Sequence, residues 1–182
     1  MIVQAPPITV EAFEEWIYLP ENVDRDWEYI GGEIVEVVSS SYPSMVAGLF
    51  LVEIGLFNKL HNLGWVTGAD GGYRVAGERY IPDVAFISKA RQPELPNVSY
   101  NPLPPDLAVE VLSPTNQSAP MRIKIANYLL DGVLVWLVDT AHQTVEVYTP
   151  GERVRKLGIN DRLDGGSVLP GFSLAIKDVF PG

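Results

Sequence analysis

Three stretches of the chain carry apolar residues at the spacing of an α-helix. The longest spans residues 44–62, and its apolar positions repeat every three or four residues: Val46, Leu49, Phe50, Ile54, Phe57 and Leu60. Gly64 is expected to end this helix. An earlier helix should begin after Thr9, whose side chain can cap the first turn. A later helix should span residues 120–130, with Gly132 as its stop signal.

Strand patterns fill the intervals between these helices. Residues 27–38 predict two short strands joined at Gly31-Gly32, a dipeptide suited to a tight hairpin turn. Residues 106–113 and 133–139 are almost continuously apolar, as in strands that are buried on both faces. Further strands are predicted at residues 65–68, 72–75, 80–88 and 144–149, with edge strands and loops from residue 151 onward.

The order of these segments indicates the fold class. A strand, a helix and a strand follow one another between residues 106 and 139, which favours a mixed sheet with helices on its faces. We therefore expect an α/β fold of the α+β type, with a central mixed β-sheet flanked by helices and an N-terminal β-hairpin. A chain of 182 residues is long enough for one full-sized core, so we expect a single domain over residues 1–182.

Composition narrows the chemistry that the chain can perform. It contains no cysteine and two histidines, His61 and His142. A thiolate nucleophile, a disulfide and a cysteine-type zinc site are therefore excluded, and a histidine-rich metal site is poorly supported. Any metal is expected to be a hard cation with oxygen ligands.

The sequence gives no sign of export or of a membrane anchor. Its first residues lack the cationic and apolar parts of a secretory signal. No uninterrupted apolar run approaches the ~20 residues that cross a bilayer. We expect a cytoplasmic protein that does not associate with membranes.

The acidic charge is concentrated at the N-terminus. The net charge is −10, which argues against a nucleic-acid partner because phosphate binding usually needs clustered basic residues. However, the first 36 residues hold nine acidic residues and a single basic one, Arg25, and the rest of the chain holds 14 acidic and 12 basic residues. A surface that faces DNA is therefore allowed, although the charge does not predict it.

Two carboxylates stand within strands that are otherwise apolar. Glu110 lies in the strand over residues 106–113, and Asp83 follows Pro82, a residue expected at a sheet edge or beside a bulge. Burying an unpaired carboxylate is unfavourable by several kcal/mol unless a partner or a metal compensates. If the strands are adjacent, the two side chains and the carbonyl of Val111 could hold Mg²⁺.

Structural roles for both carboxylates are the alternative interpretation. Asp83 could be a turn residue, and Glu110 could form an ion pair with Arg122 or Lys124. Taken alone, Asp83 favours the structural role. The combination of both carboxylates with a lysine that follows them favours the metal site.

Several runs together resemble one family. The hairpin WEYIGGEIVEV, then YIPDVAFIS, DLAVEVLSPT, a helix with Lys124 and Tyr128, and GVLVWLVD resemble the Uma2 family, also called DUF820, of the PD-(D/E)XK nuclease superfamily. Each run is weakly specific, whereas their order and spacing together are quite specific. The chain departs from the family pattern at Ser44-Met45, where a histidine is frequent, and at Gly31-Gly32, where Asp-Gly is usual.

The resemblance implies a restriction-endonuclease-like core and a catalytic site. Asp83 and Glu110 match the two acidic positions that bind Mg²⁺, for which Mn²⁺ is a possible substitute. The usual lysine position holds Leu112, and Lys124 on the following helix fits the lysine that activates water. Glu33 is implied as a further carboxylate from the hairpin, with Glu28 as the alternative.

Three functions are compatible with these features. The first is Mg²⁺-dependent hydrolysis of DNA phosphodiester bonds by Asp83, Glu110, Lys124 and Glu33. The second is a non-catalytic module that keeps the nuclease fold and binds nucleic acid or protein. The third is a homodimer that buries an apolar surface around Trp16, Trp27 and Trp65, which is also compatible with nuclease activity. Neither a Walker phosphate loop nor a G-x-S-x-G serine motif occurs.

Overall fold

The protein was analysed as a computed structural model, which describes residues 8–113 and 118–181, with Ser118 described by its backbone only. Residues 114 and 115 of the DLAVEVLSPT run and the first seven residues lie outside the described parts. The helices are α1 (Val10–Trp16), α2 (Ser41–His61), α3 (Ser118–Leu130) and a 3₁₀ helix (Ile176–Val179). The strands are β1 (Trp27–Ile30), β2 (Glu33–Glu36), β3 (Gly64–Thr67), β4 (Gly72–Val75), β5 (Glu78–Tyr80), β6 (Val84–Ser88), β7 (Tyr100–Asn101), β8 (Leu107–Leu112), β9 (Leu134–Asp139), β10 (Thr144–Tyr148), β11 (Arg155–Leu157), β12 (Arg162–Gly165) and β13 (Leu169–Ala175).

A six-stranded mixed sheet forms the centre, in the order β11-β10-β9-β8-β6-β3. Strands β8 and β9 are parallel neighbours joined by α3, while the other neighbours in this sheet are antiparallel. The predicted strand-helix-strand unit and the mixed sheet with helices on its faces are therefore confirmed. The continuous apolar character of β8 and β9 follows from their central positions, because both of their faces are covered.

Side chains of β8 alternate between two cores. Leu107, Val109 and Val111 point to the core that α2 and the C-terminal residues of the chain cover. Ala108 points to the opposite core, which α3 and part of a second sheet cover. Since side chains alternate along a strand, Glu110 lies on the same face as Ala108. This face therefore carries the carboxylate under α3.

The second sheet contains the predicted hairpin. Its strand order is β2-β1-β5-β4-β7, and β1 pairs with β2 from Ile30↔Glu33 to Trp27↔Glu36. Gly31 and Gly32 both have positive φ, 59° and 86°, as the central residues of a type I′ turn require. The hairpin prediction is thus confirmed, and it brings β1 against the central sheet through Ile30.

Three predicted boundaries were wrong. Residues 80–88 form two strands because Pro82 lies between β5 and β6, which belong to different sheets. The long helix begins at Ser41, with Pro43 tolerated in its first turn, and it ends at His61, followed by the cap residue Asn62, whose φ of 55° is left-handed. Gly64 instead begins β3, and the strands predicted at 65–68 and 72–75 lie in separate sheets.

The C-terminal tail is a core element, unlike the edge strands and loops that were expected. Strands β12 and β13 form a two-stranded sheet, and the 3₁₀ helix follows them. Their apolar residues pack with α2 and the central sheet, namely Leu163, Leu169, Phe172, Leu174, Ile176, Val179 and Phe180. The ring of Phe172 stacks on the ring of Trp136 in β9, with ring centroids 5.7 Å apart.

Exposed apolar residues occur on α2, whereas the tryptophans proposed for a dimer surface are half-buried. Trp16 and Trp27 pack edge to face, and Trp65 donates from Nε1 to the carbonyl of Gln92. On α2, Val52, Leu56 and Leu60 are exposed.

By length and composition alone, α2 could cross a membrane. This is weak evidence, because the core helices of soluble proteins pass the same test. One face of α2 does pack in the core, through Val46, Ala47, Phe50 and Ile54.

Two glycines provide a matched test of this packing. A Cβ on Gly64 would overlap the carbonyl oxygen of Ile87 and the ring of Phe86, whereas a Cβ on Gly55 in α2 would meet no atom within 4 Å. Gly64→Ala should lower the free energy of unfolding by about 1–3 kcal/mol through overpacking. Gly55→Ala should raise it by up to about 1 kcal/mol through helix propensity. Urea unfolding measures both, and a neutral Gly64→Ala would contradict the β3–β6 packing.

Candidate active site

Asp83 lies in the short connection between β5 and β6. Its Oδ2 accepts a hydrogen bond of 2.7 Å from the backbone N–H of Val111. The β6–β8 pairing ends at Val84↔Val109, so the Asp83 side chain satisfies a β8 amide beyond the last paired residue. Continued by one residue, the same register sets Asp83 opposite Glu110, and directly opposed residues in an antiparallel pair share a face. The two predicted acidic residues are thus brought together.

Two side chains of α3 bind the carboxylate of Glu110. Lys124 Nζ lies 2.8 Å from Glu110 Oε1 and 2.9 Å from Oε2. The Tyr128 hydroxyl donates to Glu110 Oε1 at 2.8 Å. Lys124 and Tyr128 are four residues apart on the helix, so both face the same strand. Glu110 and Lys124 are only 3% and 4% exposed, which makes this a buried ion pair.

Glu28 completes the cluster from the hairpin. Its Oε1 accepts from Lys124 Nζ at 2.8 Å and from the backbone N–H of Ile81 at 2.7 Å. One buried oxygen therefore ties α3 to the connection that carries Asp83. Glu33 lies elsewhere, exposed at the start of β2 on the wall of the cleft.

The buried charges do not balance. Glu28 and Glu110 contact the ammonium of Lys124, and Asp83 interacts with it electrostatically without a direct contact. Burial raises the pKa of Glu110 above its ordinary value, Lys124 lowers it, and Glu28 and Asp83 raise it further. Burial also raises the pKa of Asp83, although the Val111 hydrogen bond and Lys124 lower it. Burial is thus the main cause of the raised pKa values, and the neighbouring carboxylates add to it.

Lys124 keeps its proton in this environment. Burial alone would lower the pKa of its ammonium, but the adjacent Glu110 and Glu28 outweigh burial and raise the pKa above the ordinary value. The two carboxylates therefore favour the protonated, positively charged form of Lys124.

The donor atoms fit a hard divalent cation. Asp83 and Glu110 offer carboxylate oxygens, Val111 is adjacent, and hard cations such as Mg²⁺ take oxygen ligands and keep several waters. A divalent cation would also supply the missing positive charge. Within residues 8–113 and 118–181, no group of three or more His, Asp or Glu side chains has the arrangement of a metal site. Asp83, Glu110 and Val111 alone would leave the remaining positions of such a cation to water or substrate.

A cleft of about 480 Å³ opens onto the cluster. Glu28, Asp83, Glu110 and Lys124 lie at its floor, and both Glu33 and Glu36 lie on its wall. The rest of the lining is largely apolar, including Ile30, Val35, Val37, Val38, Ile81, Val111, Pro120 and Met121. The cleft therefore joins a small polar centre to apolar walls, as ligand sites commonly do.

Glu28, the alternative hairpin carboxylate in the sequence, is the one that joins the cluster. The β1 residues alternate between half-buried and buried, so Glu28 shares the inward face of Ile30. That period of two was a usable signal, because a carboxylate two residues before a buried Ile on a strand points to the same core. Tyr128 was noticed only for sharing a helix face with Lys124, and nothing in the sequence specified its hydrogen bond to Glu110.

Comparison with known proteins places this arrangement among nuclease folds. The chain is similar in structure to a protein from Anabaena variabilis ATCC 29413 described as a "putative nuclease belonging to DUF820", with a TM-score of 0.83. The match covers 96% of this chain and 98% of that one at 24% sequence identity, so it shows a shared fold. No curated protein matches the chain.

The family follows from the sequence itself. The model of the Uma2 family, described as "Putative restriction endonuclease", matches residues 10–177. The chain therefore belongs to the Uma2 family. The predicted restriction-endonuclease-like fold and the family resemblance are both confirmed.

The contrast between Glu28 and Glu33 can be measured by stability. Glu28→Ala leaves Lys124 without one carboxylate and Ile81 without an acceptor, and breaking a buried ion pair typically lowers the free energy of unfolding by about 3–5 kcal/mol. Glu33→Ala, an exposed change in the same hairpin, should stay within about 0.5 kcal/mol of the wild type. Urea unfolding in a chelating buffer measures both. Equal effects of the two substitutions would contradict the assignment of Glu28 to the cluster.

Proposed function

We propose that the protein is a Mg²⁺-dependent endonuclease that hydrolyses phosphodiester bonds of DNA. The observation that carries this proposal is the meeting of Asp83, Glu110 and Lys124 at the floor of one cleft. Membership of a family described as "Putative restriction endonuclease" supports the same reaction class. Mn²⁺ is the expected substitute for Mg²⁺ in experiments.

Each residue has a proposed role. Asp83 and Glu110 would hold the cation through carboxylate oxygens, with the carbonyl of Val111 as a further oxygen. The bound cation would stabilise the negative charge that develops on the phosphate and favour formation of a nucleophilic hydroxide. Lys124 would place a fixed positive charge beside the attacking water and the phosphate oxygens.

The reaction itself is a simple exchange at phosphorus. The oxygen of a water molecule forms a bond to phosphorus, and the bond from phosphorus to one sugar oxygen breaks. The water's proton leaves to solvent, and the departing oxygen takes up a proton. The chain supplies position and charge for this exchange, and no covalent intermediate on a side chain is needed.

The hairpin contributes a carboxylate that we assign to Glu28. Glu28 Oε1 contacts Lys124 at 2.8 Å and so orients the ammonium, whereas Glu33 is exposed on the cleft wall. The catalytic role predicted for Glu33 stays a prediction. From its place on the cleft wall, Glu33 would act by contacting a bound substrate. Removing Glu33 should then alter substrate affinity more than turnover.

The electrostatics of the cleft favour a metal-dependent reaction. Five carboxylates line it, at Glu28, Glu33, Glu36, Asp83 and Glu110, against the single ammonium of Lys124. A phosphate group would be repelled from such a surface at low ionic strength. A divalent cation at Asp83 and Glu110 would reverse the local sign where the phosphate must approach.

Loss of the metal carboxylates is the direct test. Glu110→Gln and Asp83→Asn should each abolish Mg²⁺-dependent cleavage of plasmid and single-stranded DNA, and so should chelation of the metal. Glu53→Gln serves as the matched control, because Glu53 lies on α2, across the central sheet from the cluster. Cleavage is followed on gels after the fold of each variant is verified by circular dichroism. Full cleavage by a folded Glu110→Gln protein would refute the proposal.

A non-catalytic module is the second candidate, and one observation favours it. Lys124 already bonds both Glu110 and Glu28, so the cluster could serve as a structural link between the hairpin and α3. This alternative predicts binding of nucleic acid or protein that persists in chelating buffer, and also in Lys124→Met once that variant is shown to be folded. Binding of labelled DNA that disappears on chelation would exclude it for nucleic acid.

Further predictions from the sequence accompany this proposal. We propose that the chain acts as one domain in the cytoplasm, without a membrane partner, and as a homodimer. Static light scattering of the purified protein measures the oligomeric state.

A further inference from the structure

Tyr128 lies in the core beneath α3 and contacts the candidate site through its hydroxyl. Its side chain is fully buried in α3, and its hydroxyl donates to Glu110 Oε1 at 2.8 Å. Its ring packs edge to face on the ring of Tyr80, with ring centroids 5.4 Å apart. Glu110 lines the cleft, whereas Tyr128 does not. The phenol therefore reaches Glu110 from the side away from the cleft.

The hydrogen bond restricts what Glu110 can do. A carboxylate has two oxygens with about four lone-pair sites in total, and it can rotate about its last bond. Lys124 lies close to both oxygens, so the ammonium alone does not select one orientation. Tyr128 bonds only Oε1 and so distinguishes the two oxygens. Oε2 is then the oxygen with more lone-pair capacity for a ligand in the cleft.

We propose that Tyr128 is a positioning residue, whose phenol fixes the Glu110 carboxylate in the orientation that binds the cation. This inference rests on the proposed function, because it concerns the same Glu110. Carboxylates that bind metals are commonly oriented by such hydrogen bonds, and loss of the partner typically weakens metal affinity about 10–100-fold. Tyr128 itself touches neither the cation nor the substrate.

The support for Tyr128 is rigid. Lys124 precedes it by four residues on the same helix, so both groups that hold Glu110 belong to one element. The Tyr80 ring beneath Tyr128 also lies 5.5 Å from Lys124 Nζ. Tyr80 is itself fixed, because its hydroxyl accepts from Asn127 at 2.7 Å and donates to Glu78. The phenol of Tyr128 therefore has little freedom to move away from Glu110.

The chain offers a closely matched pair of substitutions. Tyr128→Phe removes the hydroxyl that bonds Glu110 and keeps the ring in the core. Tyr80→Phe removes the hydroxyl of the ring packed against it, which bonds Glu78 and Asn127 and not Glu110. Both changes delete one buried hydroxyl from the same aromatic pair, and only one of them touches the site.

The experiment titrates each protein with Mn²⁺ and follows free Mn²⁺ by electron paramagnetic resonance, without substrate. Tyr128→Phe should raise the Kd for Mn²⁺ about 10–100-fold over the wild type. Tyr80→Phe should leave the Kd unchanged within about twofold. This should hold even if its melting temperature falls as far as that of Tyr128→Phe. In a Glu110→Gln background, adding Tyr128→Phe should change the remaining affinity no further, since Tyr128 acts through Glu110.

The outcomes separate the two proposals. A wild-type Kd in Tyr128→Phe, with Mn²⁺ binding intact in the wild type, would overturn the positioning role alone. A comparable loss of affinity in Tyr80→Phe would also overturn it, because general loosening of the core would then explain the effect. The absence of any Mn²⁺ binding to the wild type would overturn both this inference and the proposed metal site.

Discussion

The buried contact of Lys124 with Glu28 and Glu110 is the interaction on which the arrangement of this molecule depends. It joins three separate elements, because Glu28 belongs to the hairpin, Glu110 to the central sheet and Lys124 to α3. Removing such charges from water is unfavourable, and well-packed apolar residues often give equal or greater stability. Stability of the fold alone is therefore a weak explanation for the presence of this cluster.

The excess of negative charge determines which ligands the cluster would attract. Glu28 and Glu110 share the ammonium of Lys124, with Asp83 close by, so a divalent cation at Asp83 and Glu110 would be attracted electrostatically. The same excess would hold a polyanionic substrate away until the cation is present. Metal binding and substrate binding are thus expected to be linked through charge in this cleft.

Much of the central fold could be predicted because its strands have strong patterns. The continuous apolar runs of β8 and β9 and the intervening α3 identified the parallel pair, and a carboxylate inside β8 marked Glu110 as exceptional. Pairing of Asp83 with Glu110 needed only the assumption that their strands were neighbours. The observed β6–β8 register meets that assumption.

The rest depended on contacts that local patterns do not encode. Pro82 divides residues 80–88 between two sheets, which a strand propensity cannot reveal when both halves are apolar. The tail contributes Leu163, Phe172 and Val179 to the core from short strands and a 3₁₀ helix, where no period is long enough to be recognised. Glu28 was underrated for a related reason, since a four-residue strand gives only two inward positions from which to judge its face.

Crystals soaked in Mn²⁺ would test the central claim most directly. The anomalous difference density of Mn²⁺ reports the position of the ion without reference to activity, substrate or fold family. The proposed site predicts a peak between the carboxylates of Asp83 and Glu110, beside Val111, with Lys124 still in contact with Glu28. A saturating soak that gives no peak there, or a peak bonded to neither carboxylate, would contradict it.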